Sequence, residues 1–165
     1  MYPDLPGRLR GLLDPAPSPD PSPGDRLAAV LLPLVLHPEP SLIFTVRAAQ
    51  LSRHAGEVSF PGGMVESADA DLRATALREA HEEIGLDPAL VEVMGALPAV
   101  HTFVSGILVV PFVGSLADPP TLTVDVGEIA GVFTVPLGAL RAVQREIHRR
   151  APGGGAWTGW SYEVE

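Results

Sequence analysis

The chain has 165 residues, of which 46% are hydrophobic, so its length and composition suit one domain with a buried core. Eleven lysine or arginine residues against 20 aspartate or glutamate residues give a formal net charge of -9, which argues against a general nucleic-acid-binding protein. The absence of cysteine excludes disulfides, thiolate catalysis and cysteine-based metal sites.

Residues 1–24 are predicted to form an N-terminal segment ahead of a domain over residues 25–165. The stretch from Leu5 to Leu13 is short and amphipathic, and the sequence DPAPSPDPSPG that follows it is typical of an extended surface linker. The N-terminus lacks a signal-like apolar core, and no apolar run reaches the roughly 20 residues that span a bilayer. We therefore expect a cytoplasmic protein with no membrane partner.

Two apolar runs at the start of the domain predict strands over 26–36 and 41–47, joined by a wide turn at HPEPS. A shorter strand, EVSF, leads into the glycine turn PGG, and the acidic loop MVESADAD follows. This order places a glycine turn and an acidic loop directly before the next predicted helix.

That helix is predicted from Asp71 to Ile84, with Gly85 ending it. Asp69 and Asp71 lie where an N-cap or a first-turn acidic residue belongs. Apolar or small residues mark its packed side, at positions Leu72, Ala76, Leu77, Ala80 and Ile84.

The second half of the chain predicts strands at 91–97, 107–113 and 129–135, then a helix at about 137–149. The tail is a candidate for one edge strand, in which Trp157 and Trp160 serve packing or half of a homodimer contact. Strands with two interspersed helices predict an α/β or α+β sandwich.

Three glutamates cluster in the sequence REAHEEIGL, which begins at Arg78. Glu79, Glu82 and Glu83 relate as i, i+3 and i+4, so they share one helix face. Carboxylate oxygens are ligands that Mg²⁺ and Mn²⁺ prefer, and Arg78 can reach Glu82 one turn along. A solvated helix face is the alternative, and composition alone favours it. The joint pattern with PGG, whose glycines allow a close backbone approach, favours the metal site.

This joint pattern resembles the Nudix hydrolase family, whose box reads G-x5-E-x7-R-E-U-x-E-E-x-G-U, where U is a bulky aliphatic residue. The residues that match are Gly63, Arg78, Glu79, Glu82, Glu83, Gly85 and Leu86, with Ala80 at the first U. The chain departs from the box in two ways: Asp69 replaces the first glutamate, and eight residues separate it from Arg78.

Both departures resemble the branch of the family that cleaves coenzyme A. That branch carries an upstream pattern close to L-L-T-x-R-[SA]-x3-R-x3-G-x3-F-P-G-G, and this chain has LIFTVRAAQLSRHAGEVSFPGG. The matching residues are Thr45, Arg47, Ala48, Gly56, Phe60, Pro61, Gly62 and Gly63. The second arginine of the pattern falls on Ser52, and Arg53 stands one place late.

The resemblance implies an α/β/α sandwich with a mixed sheet and a catalytic loop-helix-loop. It implies hydrolysis of a nucleoside diphosphate linkage with Mg²⁺ or Mn²⁺ as cofactor, most specifically of coenzyme A to 3′,5′-ADP and 4′-phosphopantetheine. The implied metal ligands are Glu79, Glu82, Glu83 and the carbonyl of Gly63. Arg78 would orient a carboxylate, and Glu82 or Glu128 would act as the general base.

The candidate substrate contacts are Arg47, Arg53, Phe60 and Gly62 in the upstream block, and Phe103 in the loop AVHTFVSG that follows a predicted strand. The arginines would hold phosphate, including the 3′-phosphate that distinguishes coenzyme A. For each arginine the competing interpretation is a plain surface residue, and for Phe60 it is a core residue. The expected partner is thus a small-molecule nucleotide, with no nucleic acid bound.

Two other functions stay open. The same chemistry can act on ADP-ribose, a dinucleotide or a nucleoside triphosphate, and Ser52 leaves room for this. A non-catalytic Nudix-like domain that senses a nucleotide is the other alternative, although all three box glutamates are retained.

Overall fold

The computed structural model describes residues 4–50, 56–102, 106–142, 144–150 and 156–162, with side chains described as far as residue 140. The helices are α1 (Leu5–Arg10), α2 (Leu72–Ile84) and α3 (Leu137–Ala142), with a 3-10 turn at Pro88–Leu90. The strands are β1 (Arg26–Val35), β2 (Ser41–Arg47), β3 (Val58–Ser59), β4 (Gly62–Met64), β5 (Glu92–Ala96), β6 (Val100–His101), β7 (Ile107–Leu116), β8 (Ile129–Pro136), β9 (Gln144–Arg150) and β10 (Ala156–Tyr162).

The main sheet is mixed. Its central order is β3-β2-β1-β7-β5, with β4 beside β1, β6 beside β7 and β8 beside β2. Strands β1 and β7 run parallel over their whole length, from Arg26 opposite Ile107 to Val35 opposite Leu116, and the other pairs are antiparallel. Long apolar runs in β1 and β7 suit this arrangement, because central strands of a covered sheet are buried on both faces. The predicted mixed-sheet α+β fold is confirmed.

Both faces of the sheet are covered. On one face α2 packs against β1 and β4, and its buried residues Ala76, Ala80 and Ile84 join the larger core cluster. On the other face a second cluster forms around Leu13, Leu34, Met94 and Val113, with residues of α1 and α3 packed against it. The sheet therefore lies between helices, as the α/β/α expectation required.

The N-terminal segment is not detached from the sheet. Leu13 is 6% exposed within the second core cluster. Asp14 forms a two-way backbone bridge with Ala96, with N–O distances of 3.0 and 2.8 Å, and so pairs beside the edge strand β5. The division at residue 24 stays a prediction, but α1 and the start of the proline-rich stretch belong to the packed body.

Two local predictions are wrong. The helix expected at about 137–149 ends at Ala142, and β9 begins at Gln144, because this stretch pairs antiparallel with the tail strand β10 in a separate two-stranded sheet. The PGG stretch is not a free turn, because Gly62–Met64 pairs with Ala28–Val30 as β4. No helix in the described ranges is long and apolar enough to cross a membrane.

Candidate functional site

The first requirement of the site is a helix with defined ends, and α2 has both. The Asp71 side chain caps the N-terminus by accepting a hydrogen bond from the Ala74 N–H at 2.7 Å. Gly85 ends the helix in the left-handed conformation, at φ 65°. A Cβ at this position would lie 2.8 Å from the Thr123 carbonyl oxygen, so only glycine lets the 121–125 segment approach the end of α2.

Glu79, Glu82 and Glu83 form what we call the carboxylate face of α2. The Glu83 side chain is 4% exposed, that of Glu79 is 16% exposed and that of Glu82 is 58% exposed. Glu82 therefore lies at the solvent-exposed end of this face, and Glu83 lies at its buried end. Burial of two glutamates excludes the purely solvated helix face that composition alone favoured.

Two glycines of β4 bring the backbone against this face. A Cβ at Gly62 would lie 2.5 Å from the Ala29 carbonyl oxygen, so β4 can lie this close to β1 only with glycine there. A Cβ at Gly63 would lie 2.5 Å from the Glu79 carboxylate, so the space that Glu79 occupies exists because Gly63 has no side chain. The N–H of Gly62 donates to Glu83 Oε2 at 3.2 Å.

Arg78 organises the solvent side of the carboxylate face. Its guanidinium makes five hydrogen bonds, and Nη1 donates to Glu79 Oε1 at 2.9 Å and to Glu82 Oε2 at 3.0 Å. The predicted contact between Arg78 and Glu82 is therefore present. Nη2 also donates to the Met64 carbonyl, which ties the helix to β4.

Asp69 is the main partner of Arg78, a role that sequence reasoning missed. Arg78 Nε and Nη2 donate to its two carboxylate oxygens at 2.9 and 3.1 Å, and Thr75 Oγ1 donates at 2.8 Å. Hydrogen bonds from Arg78 hold the pKa of Asp69 well below its usual range. Asp69 is thus not the N-cap of α2. Its hydrogen bonds join the acidic loop to the helix. The sequence signal that could have indicated this role is the extra residue between Asp69 and Arg78.

Burial raises the pKa values of the inner glutamates. Desolvation raises the pKa of Glu83 to about 7, against the lowering effects of the Gly62 N–H and Arg47, and the charges of Glu79 and Glu128 add to the rise. Desolvation also raises the pKa of Glu79, while Arg78 opposes it. Carboxylates buried beside like charges are electrostatically unfavourable without a cation.

A bulge between β2 and β8 concerns two residues that are distant from α2 in the sequence, Arg47 and Glu128. Arg47 pairs with Ile129 while Val46 pairs with Gly131, so the register shifts by one residue at the end of β2. Beyond it, the Ala48 N–H donates to the Glu128 carbonyl at 2.8 Å. Arg47 Nη1 lies 3.7 Å from Glu83 Oε1, and the charge of Glu128 acts on Glu79 and Glu83. The bulge thus brings Arg47 and Glu128 beside the carboxylate face.

The donor set of the carboxylate face fits a hard divalent cation. Its oxygens are carboxylate oxygens, Gly63 leaves room at Glu79, and burial among like charges favours a bound cation. Within the described residues, no three acidic or histidine side chains are already converged on one point. The hydrogen bonds explain this, because Arg78 holds Glu79 and Glu82 while the Gly62 N–H holds Glu83. Side-chain rotation is therefore needed to converge them.

Of the other aromatic and arginine residues expected to contact substrate, only Phe60 lies within the described residues. Phe60 stacks on Phe44 at 4.6 Å between ring centroids, and Phe44 stacks on Phe133. Phe44 alternates along β2 with buried Ile43, so this stack lies on the sheet face away from α2. The predictions for Arg53 and Phe103 fall outside the described residues.

Fold and site together describe a small α/β/α protein with a glycine-flanked carboxylate helix. The sequence matches the family model described as the NUDIX domain over residues 25–154, and the chain therefore belongs to the Nudix family. It is a Nudix hydrolase of nucleoside diphosphate-linked substrates, a class that generally uses divalent metal ions such as Mg²⁺ or Mn²⁺.

Relatives and solved structures agree with this assignment. The chain is 46% identical over 141 residues to an uncharacterized Nudix hydrolase, NudL, of Cronobacter sakazakii, and the match covers 82% of this chain and 72% of that protein. The Nudix hydrolase RenU of M. smegmatis superimposes with a TM-score of 0.60 at 21% identity, covering 71% of this chain and 74% of that one. The NUDIX domain of Shewanella oneidensis NrtR, solved with ADP ribose, gives a TM-score of 0.58 at 15% identity, covering 72% and 77%. At these identities the solved structures establish the shared fold.

Proposed function

We propose that this Nudix hydrolase cleaves coenzyme A to 3′,5′-ADP and 4′-phosphopantetheine, with Mg²⁺ or Mn²⁺ as cofactor. The upstream block supports coenzyme A above the other substrates, because it resembles the pattern of the coenzyme A branch. The upstream block that resembles the coenzyme A branch does not lie apart from the box. Two parts of this block, Arg47 and the Gly62–Gly63 pair, contact or adjoin the inner glutamates.

In the proposed reaction, a water oxygen forms a bond to one phosphorus of the diphosphate, and the bond from that phosphorus to the bridging oxygen breaks. The bridging oxygen leaves with the other phosphate, and the proton of the attacking water passes to a carboxylate. Glu128 is our choice for this base, because Glu82 already accepts a hydrogen bond from Arg78. The bound divalent cations would neutralise phosphate charge and lower the pKa of the water.

The residues of the carboxylate face would hold the cations, with Glu79 and Glu83 as first ligands, Glu82 completing the set and the Gly63 carbonyl assisting. Arg78 would orient Glu79 and Glu82 through one oxygen of each, Glu79 Oε1 and Glu82 Oε2, and after rotation the second oxygen of each carboxylate would face the cations. Desolvation around Glu83 would strengthen every charge interaction there.

A parallel turnover assay tests the proposal. The purified chain is incubated with Mg²⁺ or Mn²⁺ and, separately, with coenzyme A, ADP-ribose, NADH or dNTPs, and the products are separated by chromatography. We expect the highest kcat/KM for coenzyme A, with 3′,5′-ADP and 4′-phosphopantetheine as products. Preferred cleavage of ADP-ribose would overturn the substrate. No turnover of any compound by the folded protein would overturn the proposed reaction.

A further inference from the structure

Arg47 and Arg78 both lie beside the carboxylate face, but their hydrogen bonding differs. Arg78 donates hydrogen bonds to Asp69, Glu79, Glu82 and the Met64 carbonyl. Arg47 Nη1 has only the 3.7 Å approach to Glu83, and among the described residues Arg47 Nε is buried without a hydrogen-bond partner. A guanidinium carries five N–H donors, so Arg47 retains hydrogen-bond donors for a ligand, whereas Arg78 uses its donors within the protein.

The backbone around Arg47 is fixed. Its N–H donates to the Glu57 carbonyl at 2.9 Å, and its carbonyl accepts from the Gly56 N–H at 3.1 Å. The bulge against β8 falls at the same residue, and bulges beside functional sites re-aim side chains. The side chain is 26% exposed, so a ligand can reach it. Arg47 is thus held in place by its backbone while its head group stays available.

The charges nearby decide which anion suits this position. Glu83 lies 3.7 Å from Arg47 Nη1 and shares its helix face with Glu79, so a phosphate monoester approaching without a cation would be repelled by these carboxylates. A diphosphate that shares a cation with the carboxylate face must come next to Glu83, where Arg47 lies. The planar fork of a guanidinium matches two phosphate oxygens at once.

We propose that Arg47 binds the diphosphate that is cleaved, and that it does not read the 3′-phosphate of coenzyme A. This inference rests on the proposed diphosphate hydrolysis and narrows the earlier expectation for Arg47. The ribose carbons separate the 3′-phosphate from the diphosphate, so a residue committed to one is not placed for the other. Arg47 therefore serves any diphosphate substrate of this site.

Kinetics with and without the 3′-phosphate provide the first test. Wild type, Arg47→Ala and Arg47→Lys are assayed with coenzyme A and with dephospho-coenzyme A. We expect Arg47→Ala to lose about 10- to 100-fold in kcat/KM on both substrates equally, because a charge-assisted hydrogen bond to the shared diphosphate is removed. Arg47→Lys should recover part of the loss. A loss confined to coenzyme A would overturn the proposal.

Binding without turnover provides the second test and separates diphosphate binding from mere positioning of Glu83. Mn²⁺ affinity is measured first, and then the affinity of the Mn²⁺-loaded protein for methylenediphosphonate, by calorimetry. Arg47→Ala should bind Mn²⁺ at least as tightly as wild type, since a positive charge beside Glu83 is gone, and should lose about 10-fold or more for methylenediphosphonate. Weakened Mn²⁺ binding with unchanged diphosphonate affinity would overturn the proposal.

The controls keep failure of this inference distinct from failure of the substrate proposal. Arg73→Ala removes an exposed arginine from α2 and should match wild type in both assays. Thermal melting checks that each variant is folded, and Arg47→Lys carries the test if Arg47→Ala is not. If wild type cleaves ADP-ribose and not coenzyme A, the substrate proposal fails, while loss of methylenediphosphonate binding in the Arg47 variants would still support this inference.

Discussion

At the scale of single residues, the informative feature is Glu83. Its side chain is buried, yet with a pKa of about 7 it is ionised in part of the molecules at neutral pH. Glu83 is 4% exposed, accepts one backbone hydrogen bond and has Arg47 nearby, and its pKa is raised to about 7. A structural role alone would be served better by an apolar residue of similar size. We therefore propose that a bound cation explains the position of Glu83.

Replacing Glu83 with glutamine tests that explanation. The amide keeps the size of the side chain but removes the anionic oxygen, so metal-dependent kcat/KM should fall roughly 100-fold or more. The measurement is the initial rate on the best substrate at saturating Mg²⁺ or Mn²⁺. Circular dichroism should show an unchanged fold, and a rate near that of wild type would refute a ligand role for Glu83.

The pH dependence of stability follows from the same residue. A native pKa of about 7 against 4.5 in the unfolded chain means that the native state binds more protons between these values. In the metal-free protein, the free energy of unfolding should therefore fall as pH rises from about 4.5 to 7, by an upper limit on the order of 3 kcal/mol. Denaturation in chelator, compared between wild type and Glu83→Gln, isolates this contribution. Equal slopes in the two proteins would contradict it.

At the scale of elements, two aspartates near the start of α2 do different work. Asp71 caps the helix through the Ala74 N–H. Asp69 accepts hydrogen bonds from Arg78, Thr75 and the Glu66 N–H, so it joins the acidic loop to the helix and holds the guanidinium that contacts Glu79. One residue maintains the helix end, and the other maintains the arrangement of the carboxylate face.

Alanine substitutions should separate these roles. Asp71→Ala should lower the free energy of unfolding by about 1 kcal/mol, the usual effect of losing an N-cap, with little change in turnover. Asp69→Ala should lower both stability and kcat by more than Asp71→Ala does, because Arg78 loses its bidentate partner. Urea denaturation and steady-state kinetics at pH 7.5 provide the comparison. A kcat for Asp69→Ala equal to that of Asp71→Ala would contradict the assignment.

At the scale of the whole molecule, the N-terminal segment completes the second face of the sheet. Leu13 is buried with Leu34, Met94 and Val113, while the preceding residue, Leu12, is 80% exposed. The segment also pairs with the edge of β5 through the backbone bridge between Asp14 and Ala96. The amphipathic stretch before the proline-rich sequence is thus part of the second hydrophobic core, and the first residue of the proline-rich sequence pairs with β5.

These two adjacent leucines supply a matched pair for a stability measurement. Leu13→Ala should lower the free energy of unfolding by about 2–5 kcal/mol, because it removes buried methyl groups and leaves a cavity. Leu12→Ala should change it by no more than about 0.5 kcal/mol. Chemical denaturation of both variants gives the difference directly. Similar small losses in the two would show that the segment does not contribute to the core.

The elements that sequence predicted best are those whose signals are local. The predicted helix over 71–84 and the observed Leu72–Ile84 agree, since a capping aspartate, a helical apolar period and a terminating glycine all lie within one stretch. The first two strands agree for the same reason, as their apolar runs are bounded by turn residues. The helix predicted at about 137–149 failed beyond Ala142, because pairing with β10 overrides local propensity there.

The sequence by itself determined the family, the box with its three glutamates on one helix face, and the contact between Arg78 and Glu82. The family rests on the resemblance of that box and its upstream block, whereas the shared helix face and the Arg78–Glu82 contact depend on spacing along a helix, which is set by backbone geometry. Only the tertiary structure decided which glutamate is buried, that Asp69 holds Arg78, and that Arg47 lies beside Glu83. Those facts depend on strand register, and the bulge between β2 and β8 shifts that register by one residue without a mark in the local pattern.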